Sequence, residues 1–304
     1  AGVASPGIRG IAEAGSDTKI PMRKLGRTGV QVSMLTLGMG PLGIGKTELA
    51  EVEELANLCI DLGVNYIDVA PNYGNGEEKL GPVIKKRRDE VFLVTKVEEA
   101  SKDCALRQIR ESLKKLQTDH LDAIHLHNFG GFDTDFVLGK DGAMAGLLEA
   151  KKSGITRFIG VSGHEKPMKF LKAIETGEID IVMVVVNFAD RFTYDFESKV
   201  LPVAMKHDAG IAAIKVLAGA VGMIYDRPMP PLMPQEHYTN AIRYTLGVPG
   251  VATAVIGLKN KEEINQAVAA VRNYKPLSDE EKTALEKAGK ELARQWGAHF
   301  GPVS

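Results

Sequence analysis

"TELAEVEELANLCIDLGVNYIDVAPNYG", residues 47 to 74, holds one complete unit of the fold: a helical segment, a glycine stop, an apolar run and a polar turn. Apolar residues recur at helical spacing through the first half, with Thr47 placed to cap its start and Gly63 to end it. Tyr66 to Ala70 then has the length and composition of a strand, and "PNYG" breaks it into a turn. Asp68 interrupts that apolar run, and a carboxylate in such a place needs a reason.

The same texture repeats along the chain. Strands are predicted at Met34 to Gly38, Tyr66 to Ala70, Val91 to Lys96, Leu121 to His127, Arg157 to Ser162, Ile179 to Asn187, Ile211 to Val216 and Val251 to Ile256. Helical segments such as "SKDCALRQIRESLKKLQ", "GAMAGLLEAKKSG" and "NKEEINQAVAAVRN" lie between them. The glycines in "DLGVNYID", "KKSGITRFIG" and "HDAGIAAIK" are expected to take the left-handed conformation that turns the chain back to the sheet. Eight such alternations predict an α/β fold, a single (β/α)8 TIM barrel, over the doubly wound open sheet. A β-hairpin at "MRKLGRTGVQV" precedes it, and an extra C-terminal helix, "SDEEKTALEKAGKELARQW", follows with Ser278 and Glu281 as its capping pair. The expected organisation is an N-terminal extension over residues 1–21 and one barrel domain over 22–304. Residues 128–142 and 217–236 form loops longer than barrel closure requires, where substrate contacts are expected.

Of the 304 residues, 44% are hydrophobic and 25% charged, which suits a chain able to bury a large core. The net charge of -1 provides no basic field for nucleic acid or an anionic membrane, so neither partner is expected. Cys59 and Cys104 both fall in helical segments and read as buried small hydrophobes. No apolar run reaches the roughly 20 residues that span a bilayer. A cytoplasmic location is expected, with export after signal cleavage as the alternative that the N-terminal Ala leaves open.

In a barrel, the polar residues at the C-terminal ends of strands face one mouth. Asp68, Lys96 and His127 end strands two, three and four, and Tyr73 lies in the loop after strand two. A buried Lys beside a phenol favours the phenolate, and an Asp paired with that Lys keeps the amine charged. Such a Tyr is a general acid for an oxygen whose carbon receives hydride. None of these side chains carries hydride, so a nicotinamide cofactor is implied.

With these residues in view, the sequence resembles the aldo-keto reductases over roughly residues 22–270. "NYIDVAPNYGNGEEKLG" is similar to that family's Asp-Thr-Ala…Tyr-Gly motif, "VFLVTKV" to its catalytic-lysine strand and "LDAIHLHN" to its histidine strand. The resemblance implies Tyr73 as proton donor, Lys96 as the group that lowers its pKa, Asp68 as partner of Lys96, and His127 as the group that orients the carbonyl. It also implies carboxamide contacts from Ser162 and Gly163 in "FIGVSGH" and from Asn187 on the sixth strand. Where many members have a stacking aromatic, this chain has Ile214 followed by Lys215, which is expected to meet the cofactor's phosphates or the substrate. Leu217 and Gly219 are expected to offer backbone to the pyrophosphate. Lys259 matches the 2′-phosphate position, whereas Glu263 stands where an Arg is usual, so NADP(H) is expected and NAD(H) is the alternative.

The implied reaction is hydride transfer between NAD(P)H and the carbonyl or alcohol of an aldehyde, ketone or sugar, by a monomer or weak homo-oligomer. Two rivals come from other classes. "HLH" places His125 and His127 on one strand face, as some zinc hydrolases begin a metal site, although the eighth strand offers no carboxylate ligand. A cofactor-binding regulatory subunit with little turnover is the third reading. No metal is expected, and His125 reads as a hydrogen-bonded histidine one layer deeper. Phe129, Phe132 and Phe136 are candidate pocket walls, with the tail around Trp296 and Phe300. Asp133 and Asp135 in the same loop would favour hydroxyl-rich ligands over anionic ones.

Overall fold

The computed structural model describes residues 19–221 and 230–304. The described residues form ten strands: β1 Met22–Lys24, β2 Gln31–Ser33, β3 Leu35–Gly38, β4 Tyr66–Asp68, β5 Phe92–Val97, β6 Leu121–Leu126, β7 Thr156–Gly163, β8 Ile181–Val185, β9 Gly210–Ile214 and β10 Val251–Gly257. β1 and β2 form the antiparallel hairpin, and β3 to β10 close into one parallel barrel with β10 beside β3. Each of the eight predicted barrel strands is present, with ends shifted by three residues or fewer.

Alternation along these strands places the site. Tyr66, Phe92, Val94, Ala123, Ile181, Met183 and Ala212 share one apolar cluster inside the barrel. Period two then carries Asp68, Lys96 and His125 inward as well, each two residues beyond Tyr66, Val94 and Ala123. The intervening Ile67, Leu93 and Ile124 face outward into the larger core shared with the helices.

At the opposite end the hairpin covers the barrel floor. Gly26 has φ +47, and a Cβ there would lie 2.3 Å from the Gly210 backbone nitrogen. Gly210 itself is pressed by Leu25, whose Cγ would be 2.6 Å from an added Cβ. This corrects one sequence expectation: in "HDAGIAAIK" the left-handed residue is Asp208 (φ 51), and Gly210 is needed for close approach, whereas Gly63 (φ 99) and Gly154 (φ 79) do turn the chain. Gly26→Ala is expected to lower stability by roughly 1–3 kcal/mol through overpacking, read as a lower urea midpoint at unchanged m-value.

Two aspartates tie the strand starts together. Asp122 accepts the Leu93 N–H at 2.9 Å and pairs with Arg88 and Arg157, while Asp180 accepts the Ile159 N–H at 2.9 Å and pairs with Arg27 and Lys151. A second correction concerns Thr47. The helix Leu49–Asp61 is preceded by Glu48 as its cap residue with no side-chain cap bond, one residue later than predicted, and Thr47 faces a cavity instead.

The C-terminal helix Asp279–Trp296 begins with the Ser278–Glu281 capping box, as its sequence indicates. Its tail then returns to the barrel mouth, where Tyr194 Oη accepts the Phe300 N–H at 2.7 Å and His299 Nε2 meets Asp190 Oδ1 at 2.8 Å. The long segment after β9 folds back on itself, with Leu232 N–H donating to Gly219 O at 2.7 Å. Residues 222–229 of that predicted loop lie outside the described residues.

Candidate active site

The turn behind β4 is packed backbone to backbone. Gly74 has φ +56, and a Cβ on Gly43 would lie 2.2 Å from the Tyr73 carbonyl oxygen. That close packing fixes where the Tyr73 ring projects. Lys96 Nζ donates to Asp68 Oδ1 at 2.7 Å and to Val69 O at 2.9 Å, and lies 4.8 Å from the Tyr73 ring centroid. The Tyr73 and His127 rings meet edge to face, with centroids 5.9 Å apart. The four residues singled out from sequence therefore come together at one end of the barrel.

Burial dominates the electrostatics here. It pulls the Lys96 pKa down, and the Asp68 carboxylate opposes that shift. It pushes the Asp68 pKa up, opposed by the Lys96 ammonium. Neither charge is tolerable in this place without the other. His127 is held well below the ordinary imidazole range by burial and then by Lys96 and Lys215, so it is neutral at pH 7.

Glu98 is a member of the site that sequence reasoning missed. Its Oε1 lies 2.9 Å from His127 Nδ1, and burial raises its pKa. An ionised Glu98 accepts Nδ1–H and leaves Nε2 an acceptor; a protonated Glu98 donates to Nδ1 and leaves Nε2–H a donor. The signal was available, because Glu98 follows Lys96 at the two-residue period of an inward strand face.

A cavity of about 690 Å³ opens from this cluster. Asp68, Tyr73, Lys215, Leu217, Gly219, Lys259 and Glu263 line it, and His164 joins them. Ser162, Gly163 and Asn187 do not. Ser162 donates to Leu126 O at 3.4 Å, and Gly163 is pressed against Phe170, which an added Cβ would meet at 2.9 Å. Asn187 is fully buried: its Nδ2 donates to Asp190 Oδ2 at 2.6 Å and Lys215 O at 2.9 Å, and its Oδ1 accepts the Ala189 and Asp190 N–H groups. Its amide is used inside the protein, not in the cavity.

Further expectations need correction. His125 is completely buried, yet among the described residues neither ring nitrogen has a hydrogen-bond partner, so it is not the hydrogen-bonded histidine expected. Its ring occupies the space left by Gly160, where a Cβ would lie 2.3 Å from Cδ2, and burial holds it neutral. Asp133 caps the short helix Thr134–Leu138 by accepting from Asp135 and Phe136 N–H, and Asp135 pairs with Lys172 on the surface, so neither faces the cavity. Of the aromatics in that loop, Phe129 is buried against Phe170, and Phe136 is 47% exposed.

The chain belongs to the aldo/keto reductase family, an oxidoreductase family whose model matches residues 34–240. It is 25% identical over 306 residues to L-galactose dehydrogenase of Arabidopsis thaliana, spanning 88% of this chain and 93% of that one. An aldo-keto reductase of Bacillus halodurans in its holo form superposes with a TM-score of 0.73 at 25% identity, covering 89% of this chain and 96% of that one. The fold is also that of an aldo-keto reductase from Klebsiella pneumoniae solved in complex with NADPH, with a TM-score of 0.71 at 23% identity over 90% of this chain and 96% of that one.

Proposed function

We propose that the chain is an NADP(H)-dependent reductase that interconverts a carbonyl and an alcohol, with Tyr73 giving and taking the proton. The observation that carries this reading is the Asp68–Lys96 pair, closed at 2.7 Å beneath the Tyr73 ring at the floor of the cavity. An ammonium held there favours the phenolate, which eases release of the Tyr73 proton to a nascent alkoxide. Neutral His127, set by Glu98, orients the oxygen between its ring and the Tyr73 hydroxyl. The nicotinamide supplies the hydride when bound.

The cavity suits such a cofactor. Apolar Ile214, Val216, Leu217 and Val255 line it, with Lys259 and Asn260 at the start of the helix Lys261–Arg272. NADPH is also the ligand in the Klebsiella pneumoniae structure of the same fold. The reductase reading and its two rivals, the zinc hydrolase and the regulatory subunit, are weighed by one experiment: titration with NADPH and NADH, metal analysis, and turnover of aldehydes on the same sample. Cofactor binding with turnover supports the reductase, tight retention without turnover supports a regulatory subunit, and stoichiometric zinc without nucleotide binding overturns the proposal. For the zinc reading, no group of three or more His, Cys, Asp or Glu side chains gathers as a metal site among the described residues.

Glu263 tunes the choice of cofactor. Its Oε2 accepts the Lys259 N–H at 2.8 Å, and Oε1 is 3.7 Å from Lys259 Nζ, so a carboxylate shares the place proposed for the 2′-phosphate. Glu263→Gln keeps the backbone acceptor and removes the like charge. The expected result is a shift of about fivefold toward NADPH in the ratio of the two dissociation constants, near 1 kcal/mol.

A further inference from the structure

We propose that the barrel mouth contains an anion subsite, built from Lys215 with His164, that selects carbonyl substrates carrying a carboxylate or phosphate. This deepens the reductase reading and rests on it. β9 ends at Ile214, and Lys215 takes a left-handed backbone, φ +56, that takes the chain off the strand path. Lys215 and His164 line the same cavity as Tyr73.

The tail provides a shared platform. Lys215 Nζ lies 5.8 Å from the Phe300 ring centroid, and the His164 ring 5.5 Å from the same ring. Phe300 is held by Tyr194, and its neighbour His299 by Asp190. Asp190 in turn accepts from Asn187, whose Nδ2 also donates to Lys215 O at 2.9 Å. One network thus fixes both the platform and the unusual Lys215 backbone, a left-handed conformation that a residue with a Cβ rarely adopts.

The charge of Lys215 is felt throughout the mouth. Burial raises the pKa of Asp68, and Lys96 and then Lys215 oppose it; burial lowers the pKa of His127 and His164, with Lys215 adding to it, behind Lys96 at His127 and directly after burial at His164. Of the carboxylates that line the cavity, Asp68 pairs with Lys96 and Glu263 with Lys259, and Glu51 lines it as well. Asp133 and Asp135, which would have repelled an anion, are absent from the cavity lining. An oxyanion at Lys215 gains a charge-assisted hydrogen bond, with a second donor available from the neutral His164 ring.

The test compares matched substrates with NADPH: succinic semialdehyde against butanal, and glyceraldehyde 3-phosphate against glyceraldehyde. The expected result is that at least one anion is favoured in kcat/KM by roughly tenfold to a hundredfold, the range of a charge-assisted bond. The pair showing the ratio identifies the anion. Lys215→Met is expected to bring that ratio close to one, whatever happens to each rate, and Lys215→Arg to retain most of it. Equal kcat/KM within both pairs in the unaltered chain overturns the subsite and leaves the reductase reading standing. A ratio kept in Lys215→Met, with a weaker NADPH dissociation constant, assigns the lysine to the cofactor and likewise overturns it. Turnover of none of the four aldehydes overturns the reductase reading itself.

Discussion

Tyr73→Phe is expected to lower kcat by about two to four orders of magnitude, the usual contribution of a positioned general acid, while NADPH still binds. The substitution removes one oxygen and leaves the ring, so its edge contact with His127 and its place above Lys96 survive. The turn that carries it is fixed by the backbones of Gly43 and Gly74, not by the hydroxyl. Loss of turnover therefore reports on the proton and not on the fold. Stopped-flow reduction with NADPH and a fluorescence titration of the cofactor on the same variant check both halves. Turnover within about tenfold of the unaltered chain, well short of a general acid's usual share, would sink the assignment of Tyr73.

The second large effect concerns stability. Asp68→Asn leaves Lys96 buried, 2% exposed, with no counter-charge at 2.7 Å, and breaking such a pair costs about 3–5 kcal/mol. The sign of its pH dependence follows from burial. The Lys96 pKa is already lowered in the folded protein, and loss of Asp68 lowers it further. Between that depressed value and the unfolded value of about 10.4, the unfolded chain binds more protons, so stability rises with pH across the window. Urea denaturation from pH 7 to 10 should show the deficit of Asp68→Asn shrinking as pH rises. Adding Lys96→Met should recover most of the stability and none of the turnover, because the double variant removes the stranded charge but not the need for it. A deficit independent of pH would show that Lys96 is not the group carrying the cost.

The legible part of the site was the part governed by strand geometry. Asp68, Lys96 and His127 lie at strand ends, and alternation across a strand is local enough to assign their direction. Glu98 obeys the same period but lies two residues beyond Lys96, where the predicted strand stops, and one beyond the end of β5. Asn187 shows the limit of resemblance: a strand-end amide matched by position is consumed by Asp190 and Lys215 O, partners that only the folded loop brings near. Asp133 and Asp135 show it again, since a loop's charges reach the cavity or the solvent according to the path of the loop.

The amino-acid sequence by itself determined the alternation of strands and helices, the closed barrel, the hairpin, the C-terminal capping box and the set Asp68, Tyr73, Lys96 and His127. All of these depend on periodicity, on turn chemistry or on a motif contained in a few consecutive residues. Tertiary structure alone decided that Glu98 holds His127, that His125 is buried with no hydrogen-bond partner among the described residues, that Gly210 serves Leu25 and that Phe300 returns to lie beside Lys215. The physical reason is range. Each of these joins elements brought together only by barrel closure or by the returning tail, and the direction of a side chain along its own strand carries no information about what meets it there.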